Sequence, residues 1–179
     1  MKKSRFFWAL LMFIGLWPVY SANVIKKDVH FVARHNFKEI NGFCEEIRTE
    51  ALELQINKNS IQLKSPFSII IPVISMKTGN ASRDSHMLES LEYPKFKEIK
   101  GRINSISGSD SSILIKGSLE IRGKEKSFET KAALKNINGK KELTGSFMIL
   151  LSDFAIDPPD LLFMKVKDEV RIDYRIVIE

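Results

Sequence analysis

The sequence predicts an all-β fold, and three observations predict it. Apolar and polar residues alternate at period two over most of the chain, the pattern of half-buried strands. Short turn signals separate the alternating runs, Asn138-Gly139 being the strongest. No Pro/Gly/Ser linker, low-complexity tract or internal repeat divides the chain, so one domain of ordinary size is expected. Strands at this spacing with one apolar face form a sandwich or a closed up-and-down barrel, and closure is favoured because it leaves no exposed edge.

The elements follow in order. Residues 1–21 read as an export signal: Lys2, Lys3 and Arg5 form a positive start and Phe6 to Leu16 an apolar run. Val19 and Ser21 fit the positions before a cut after Ser21. The apolar run is too short to span a bilayer comfortably, and an uncleaved anchor is the alternative. Val29, Phe31, Ala33 and His35 share one strand face, and Phe37 to Gly42 reads as a brief helical turn. Phe67 to Ile74 is apolar on both faces, as in a strand between a cavity and a covering element; its Pro72 needs an edge or bulge. Ser82 to Leu91 spaces Met87, Leu88 and Leu91 as a short helix capped by Ser82.

Strands then return. Gly108-Ser109-Asp110-Ser111 separates two of them. Ile113, Ile115, Gly117, Leu119 and Ile121 share a face, and Gly123-Lys124 reads as a tight hairpin. Phe128, Thr130, Ala132 and Leu134 continue the pattern, then Leu143, Gly145, Phe147, Ile149 and Leu151. Ser152 to Leu162 contains Asp157-Pro158-Pro159-Asp160, which cannot be a central strand and reads as an ordered loop with a 3₁₀ turn. Val170, Ile172, Tyr174, Ile176 and Ile178 form the last and clearest inner face.

Composition narrows the function. The charge is +6; of 28 basic residues three lie in the leader, so 25 against 22 acidic residues leave +3 in the mature chain. This modest, dispersed excess gives no basic stripe, so nucleic acid is not an expected partner. Cys44 is the only cysteine, so no internal disulfide forms, and it reads as a half-buried strand residue. No nucleophile elbow, phosphate loop or paired acid and base is present, so the chain does not read as an enzyme. Three histidines with no two at ligand spacing predict no metal, and Asp153, Asp157 and Asp160 read as turn and capping residues. No cofactor is implied.

Five segments, taken in order, carry a family resemblance. They are Arg83-Asp84-Ser85-His86-Met87, Tyr93-Pro94-Lys95-Phe96, Gly117 to Gly123, Leu151 to Pro159, and Lys167-Asp168-Glu169-Val170. The series, spanning Val24 to the C-terminus, resembles the YceI-like family of bacterial lipid- and polyisoprenoid-binding proteins. The resemblance implies an extended lipocalin-like antiparallel β-barrel of about eight strands with one or two short helices, over residues 22–179. Its apolar lumen would bind a long isoprenoid or other lipid chain in the periplasm. The arginine-aspartate-x-histidine motif maps to Arg83, Asp84 and His86. The glycine-rich strand motif maps to Gly117, Leu119, Ile121, Arg122 and Gly123, and the loop motif to Ser152, Asp153 and Phe154. The first-strand histidine maps to His35, and the early glycine step to Gly42 and Phe43. Two departures stand out: Leu88 to Glu92 is shorter than in many members, and Leu151 stands where many carry arginine.

The expected lumen wall is Phe31, Phe43, Ile69, Ile71, Val73, Ile115, Leu119, Phe128, Phe147, Ile149, Ile172, Tyr174 and Ile176. Alternation alone favours a dry core built from these residues; the resemblance favours a tunnel. His35, Arg83, Asp84 and His86 are the candidate head-group residues. For Asp84, capping the short helix beside Arg83 is the structural alternative. The expected function is non-enzymatic carriage or sequestration of a long lipid, with peripheral membrane contact and homodimerisation as open partner modes. The competitors are an exported stress-response scaffold with a filled core and a protein partner, and a lipid hydrolase or isomerase using His35 or His86.

Overall fold

The computed structural model describes residues 24–35, 38–56, 59–158, 160–161 and 164–179; the predicted leader lies outside them. The first half holds strands β1 (Val24–His35), β2 (Lys38–Cys44), β3 (Arg48–Thr49), β4 (Leu54–Ile56), β5 (Ser60–Leu63), β6 (Phe67–Pro72) and β7 (Met76–Lys77). Helix α1 (Ala81–Ser90) follows. Strands β8 (Glu98–Ser109), β9 (Ser112–Ile121), β10 (Lys124–Ile137) and β11 (Lys140–Leu150) form a meander, followed by the short pair β12 (Asp160–Leu161) and β13 (Met164–Lys165), then β14 (Glu169–Ile178).

The sheet closes on itself. Its order runs β3-β6-β8-β9-β10-β11-β14-β1-β2-β7, and every pairing is antiparallel. The two ends are joined along the chain, because β2 continues into β3 and β6 into β7. Cys44 pairs with Met76 and Arg48 with Ile70, and the Glu45 amide donates to the Ser75 carbonyl (2.9 Å) between them. The two extra residues on the β6–β7 side are taken up by a 3₁₀ turn at Val73–Ser75. Counting these as continuous strands gives eight staves, the number whose interior just admits side chains or one small ligand.

Turn chemistry fixes the meander. Asn138 and Gly139 have φ of 52° and 80°, and Arg122 and Gly123 have 51° and 71°. Both are two-residue turns with positive φ at each position, matching the right-handed strand twist. The second sits one residue earlier than the expected Gly123-Lys124. Asp110, at φ 51°, turns β8 into β9. A register shift between Ile103 and Ser105 puts Ile103 and Ile106, rather than Ile103 and Ser105, on the inner face.

Two further expectations are corrected. Phe37 to Gly42 does not form a helical turn: Lys38–Cys44 is a strand, with Phe37 outside the described residues. Gly42 lies opposite Phe31 and admits its ring, a contact that only strand register provides. Helix α1 is capped by Asn80, not Ser82: the Arg83 amide donates to Asn80 Oδ1 at 3.0 Å. The expected 3₁₀ turn in the late loop is present at Ser152–Phe154.

Each end of the barrel carries its own core. At one end Leu52, Leu54 and Ile61, from the segment around the β4–β5 hairpin, pack on Phe67, Ile106, Ile113, Leu143 and Ile178. At the other, Val73, Leu91, Ile99, Ile121, Phe154 and Ile156 are packed by Met87 and Leu88 of α1. The middle of the barrel lies between these plugs.

Candidate functional site

Alternation sends one side chain in two toward the barrel axis, and antiparallel partners directly opposite share a face. Along β14 and β1 the inward pairs are Val170 with Ala33, Ile172 with Phe31, Tyr174 with Val29, and Ile176 with Lys27. With Leu143, Phe147 and Ile149 of β11, Ile115 and Leu119 of β9, and Ile69 and Ile71 of β6, they line a cavity of about 290 Å³. That volume is near the lower bound for small-molecule sites. The end cores are sealed, with Leu54 and Ile113 at 0 % exposure and Val73 at 1 %. Between them Ile69, Ile71, Leu119, Phe128, Phe147, Ile149, Ile172, Tyr174 and Ile176 face inward yet remain only half-buried. These side chains border open space, so the lumen is not filled.

Three glycines keep it open. Gly42, Gly117 and Gly145 lie directly opposite Phe31, Phe128 and Tyr174. A Cβ at Gly42 would stand 2.0 Å from Phe31 Cζ, at Gly117 3.0 Å from Phe128 Cζ, and at Gly145 2.2 Å from Tyr174 Oη. Each ring thus lies over the glycine of the neighbouring strand. Phe128 also stacks on Phe147 at 4.4 Å with planes 6° apart. Aromatic bulk is held along the wall and out of the axis. Burial pushes the Tyr174 phenol's pKa up, partly offset by the Thr130 hydroxyl.

The polar side chains of the wall include Lys27, Asp28, Thr49 and Thr130 along the strands and a second group beneath α1. Thr78, Arg83, His86 and Ser90 line it where α1 packs on the barrel. Arg83 donates through Nε to Thr78 Oγ1 (3.3 Å) and through Nη2 to the Thr78 carbonyl (3.1 Å). Asp84 accepts from the Thr78 amide (2.8 Å) and hydroxyl (2.6 Å). Both residues therefore fasten the start of α1 to the end of β7. His86 Nδ1 lies 3.3 Å from Glu89 on the exposed side of the helix. Cys44 also lines the wall, and burial pushes its thiol up to about 12, so it is a neutral thiol at physiological pH.

The remaining motif residues brace the helix-covered end. Arg122 pairs with Glu92 and donates through Nη1 to the Ala155 carbonyl at 2.5 Å, tying the turn after α1 to the loop after β11. Asp168 accepts from the Ser152 amide (2.7 Å) and hydroxyl (2.6 Å), bonds that hold its carboxyl below the usual range. Lys126 pairs with Asp153 at 3.1 Å.

Of the expected site residues, Phe31, Ile69, Ile71, Arg83, His86, Ile115, Leu119, Phe128, Phe147, Ile149, Ile172, Tyr174 and Ile176 lie on this wall. Four lie elsewhere. Phe43 points outward and is 40 % exposed, because Ile40, Gly42 and Cys44 take the inward positions of β2. Val73 is carried into the end core by its 3₁₀ turn. His35 ends β1 opposite Lys38, beyond the cavity. Asp84 turns to Thr78 rather than the lumen. Sequence reasoning missed Lys27, Met76, Thr78, Met87 and Val166. Of these, Lys27 is signalled by extending the alternation back from Val29.

A closed eight-stave antiparallel barrel with an unfilled apolar lumen defines the lipocalin-like class of barrels. The chain belongs to the YceI-like domain family, whose model matches residues 20–178. Solved structures agree in fold. The Burkholderia cenocepacia protein BcnA is 15 % identical with a TM-score of 0.71, over 84 % of this chain and 95 % of that one. A polyisoprenoid binding domain from Saccharophagus degradans, implicated in plant cell wall breakdown, is 13 % identical with a TM-score of 0.64, over 90 % and 98 %. The Campylobacter jejuni YCEI protein is 14 % identical with a TM-score of 0.64, over 80 % and 87 %. Among curated proteins no sequence matches the chain.

Proposed function

We propose that this protein binds one long apolar lipid, an isoprenoid or fatty chain, in its barrel lumen and carries or sequesters it without chemical turnover. The observation that carries the reading is the ring of half-buried apolar side chains around an unfilled cavity. Family membership and the likeness to a polyisoprenoid binding domain support the same ligand class. Each methylene moved from water onto such a wall is worth about 0.8 kcal/mol, so ten or more outweigh a substantial cost of immobilisation.

In this reading Ile69, Ile71, Leu119, Ile149, Ile172 and Ile176 contact the chain, while Phe31, Phe128, Phe147 and Tyr174 shape the channel. The signal-like residues 1–21 and the family's periplasmic habit support export, with residues 22–179 as the mature barrel. The protein purified from its native host is extracted with organic solvent and the extract analysed by mass spectrometry. A long-chain lipid near one equivalent is the expected result. Lipid-free protein that also fails to take up an isoprenoid alcohol would return the barrel to a scaffold role.

A further inference from the structure

Strand β1 is paired with β14 from Val24 to Ala33, but on its other side with β2 only from His30 onward. The chain from Cys44 to Thr49 turns instead toward β7 and β6. The wall therefore parts into a lateral slit, bordered by Val24, Lys27 and Val29 on one side and Cys44, Ile47 and Thr49 on the other. All six line the cavity.

Lys27 faces this slit because it stands opposite Ile176, an inward residue, while a register shift after Val24 lets Val24 keep the inner face as well. Its ammonium crosses to the far border and donates to Thr49 Oγ1 at 3.1 Å. Among the described residues no carboxylate pairs with it. The adjacent carboxylate, Asp28, is taken by Lys26 at 3.1 Å and Arg175 at 3.2 Å. A half-buried lysine on an apolar wall, with the Thr49 hydroxyl as its hydrogen-bond partner and no carboxylate, leaves its charge available to an incoming anion. A charged hydrogen bond there is stronger than in water, because the surroundings are less polarisable.

We infer that the β1/β3 slit is the seat of the lipid's head group, and that Lys27, positioned by Thr49, selects an anionic one, a phosphate or a carboxylate. The inference rests on the lumen reading and deepens it. The tail occupies the cavity; the head group stays at the slit, in reach of water and of the ammonium.

Delipidated mature protein is titrated with two pairs of ligands that share a tail: geranylgeranyl phosphate against geranylgeraniol, and palmitate against hexadecanol. In each pair the anionic member is expected to bind at least about tenfold more tightly, and whichever pair shows the larger gap identifies the head group. Lys27→Met and Lys27→Gln should erase that gap, read as the ratio of anionic to alcohol affinity within each variant, and continued binding of the alcohols reports that the lumen is intact. Lys27→Arg should keep it. A gap that survives in both neutral variants, or that vanishes instead with Arg83→Met, overturns the inference while the lumen reading stands. Equal binding of all four ligands by the wild type also overturns it. Failure of every ligand to bind overturns the lumen reading and the head-group seat with it.

Discussion

Single side chains decide what the lumen can do, and Cys44 reports on it. It is the only cysteine, lines the wall, and has a thiol pushed up to about 12 by burial. At pH 8 its thiolate fraction is then about 10⁻⁴, against roughly a quarter for an ordinary cysteine. Iodoacetamide should modify it on the order of a thousandfold more slowly than free cysteine, as followed by mass spectrometry; alkylation at the free rate would show an open, hydrated site. Asp168 gives a pH signature. Its carboxyl is held low by the Ser152 hydroxyl and amide, so the native state favours its ionised form. That contribution is complete above the unfolded value of about 3.9 and is lost as pH falls through the lower folded value. Asp168→Asn should lower the unfolding midpoint at neutral pH, and the gap from wild type should shrink below about pH 4. A gap that widens on acidification would contradict the assignment. At this scale the sequence is half legible. Arg83 and Asp84 stand out as a motif, but their turn toward Thr78 depends on where β7 ends. Lys27 was readable from alternation, yet a lysine is seldom expected on an inward face.

Among the elements, strands and turns were the most legible, because period two and paired positive-φ turns are local signals. Strand β2 was not. Its two-residue alternation is short, and its glycine looks like a breaker until Phe31 is seen lying across it. The 3₁₀ turn that diverts Val73 arises from the mismatch between two chain segments far apart in sequence, so no local pattern marks it. The ring-over-glycine arrangement carries a test. At Gly145 an added side chain meets Tyr174 Oη at 2.2 Å and the Lys131 carbonyl at 2.8 Å, the latter being backbone that cannot swing away. Gly145→Leu should therefore cost on the order of 1–3 kcal/mol by overpacking, read as a lowered denaturation midpoint. A variant as stable as wild type would mean that the ring does not occupy that space.

For the whole molecule, β pattern and family resemblance were enough to anticipate a closed barrel of about eight strands. What they left open was whether the inward residues meet each other or a void. That depends on the division of the interior into two sealed ends and an open middle, which follows from how the β4–β5 hairpin and α1 cover the barrel. Alternation is the same in all three zones, so Ile113 at 0 % exposure and the half-buried Leu119 of the same strand look alike in sequence. The most direct test of a void that receives lipid is native mass spectrometry of the mature protein incubated with geranylgeraniol, compared with Ile149→Trp and Ile172→Trp, which place bulk in the open space. The account predicts a single one-to-one adduct for the wild type and its loss in both variants, with β-rich circular dichroism retained. No adduct in the wild type, or an adduct undiminished in both correctly folded variants, would contradict it.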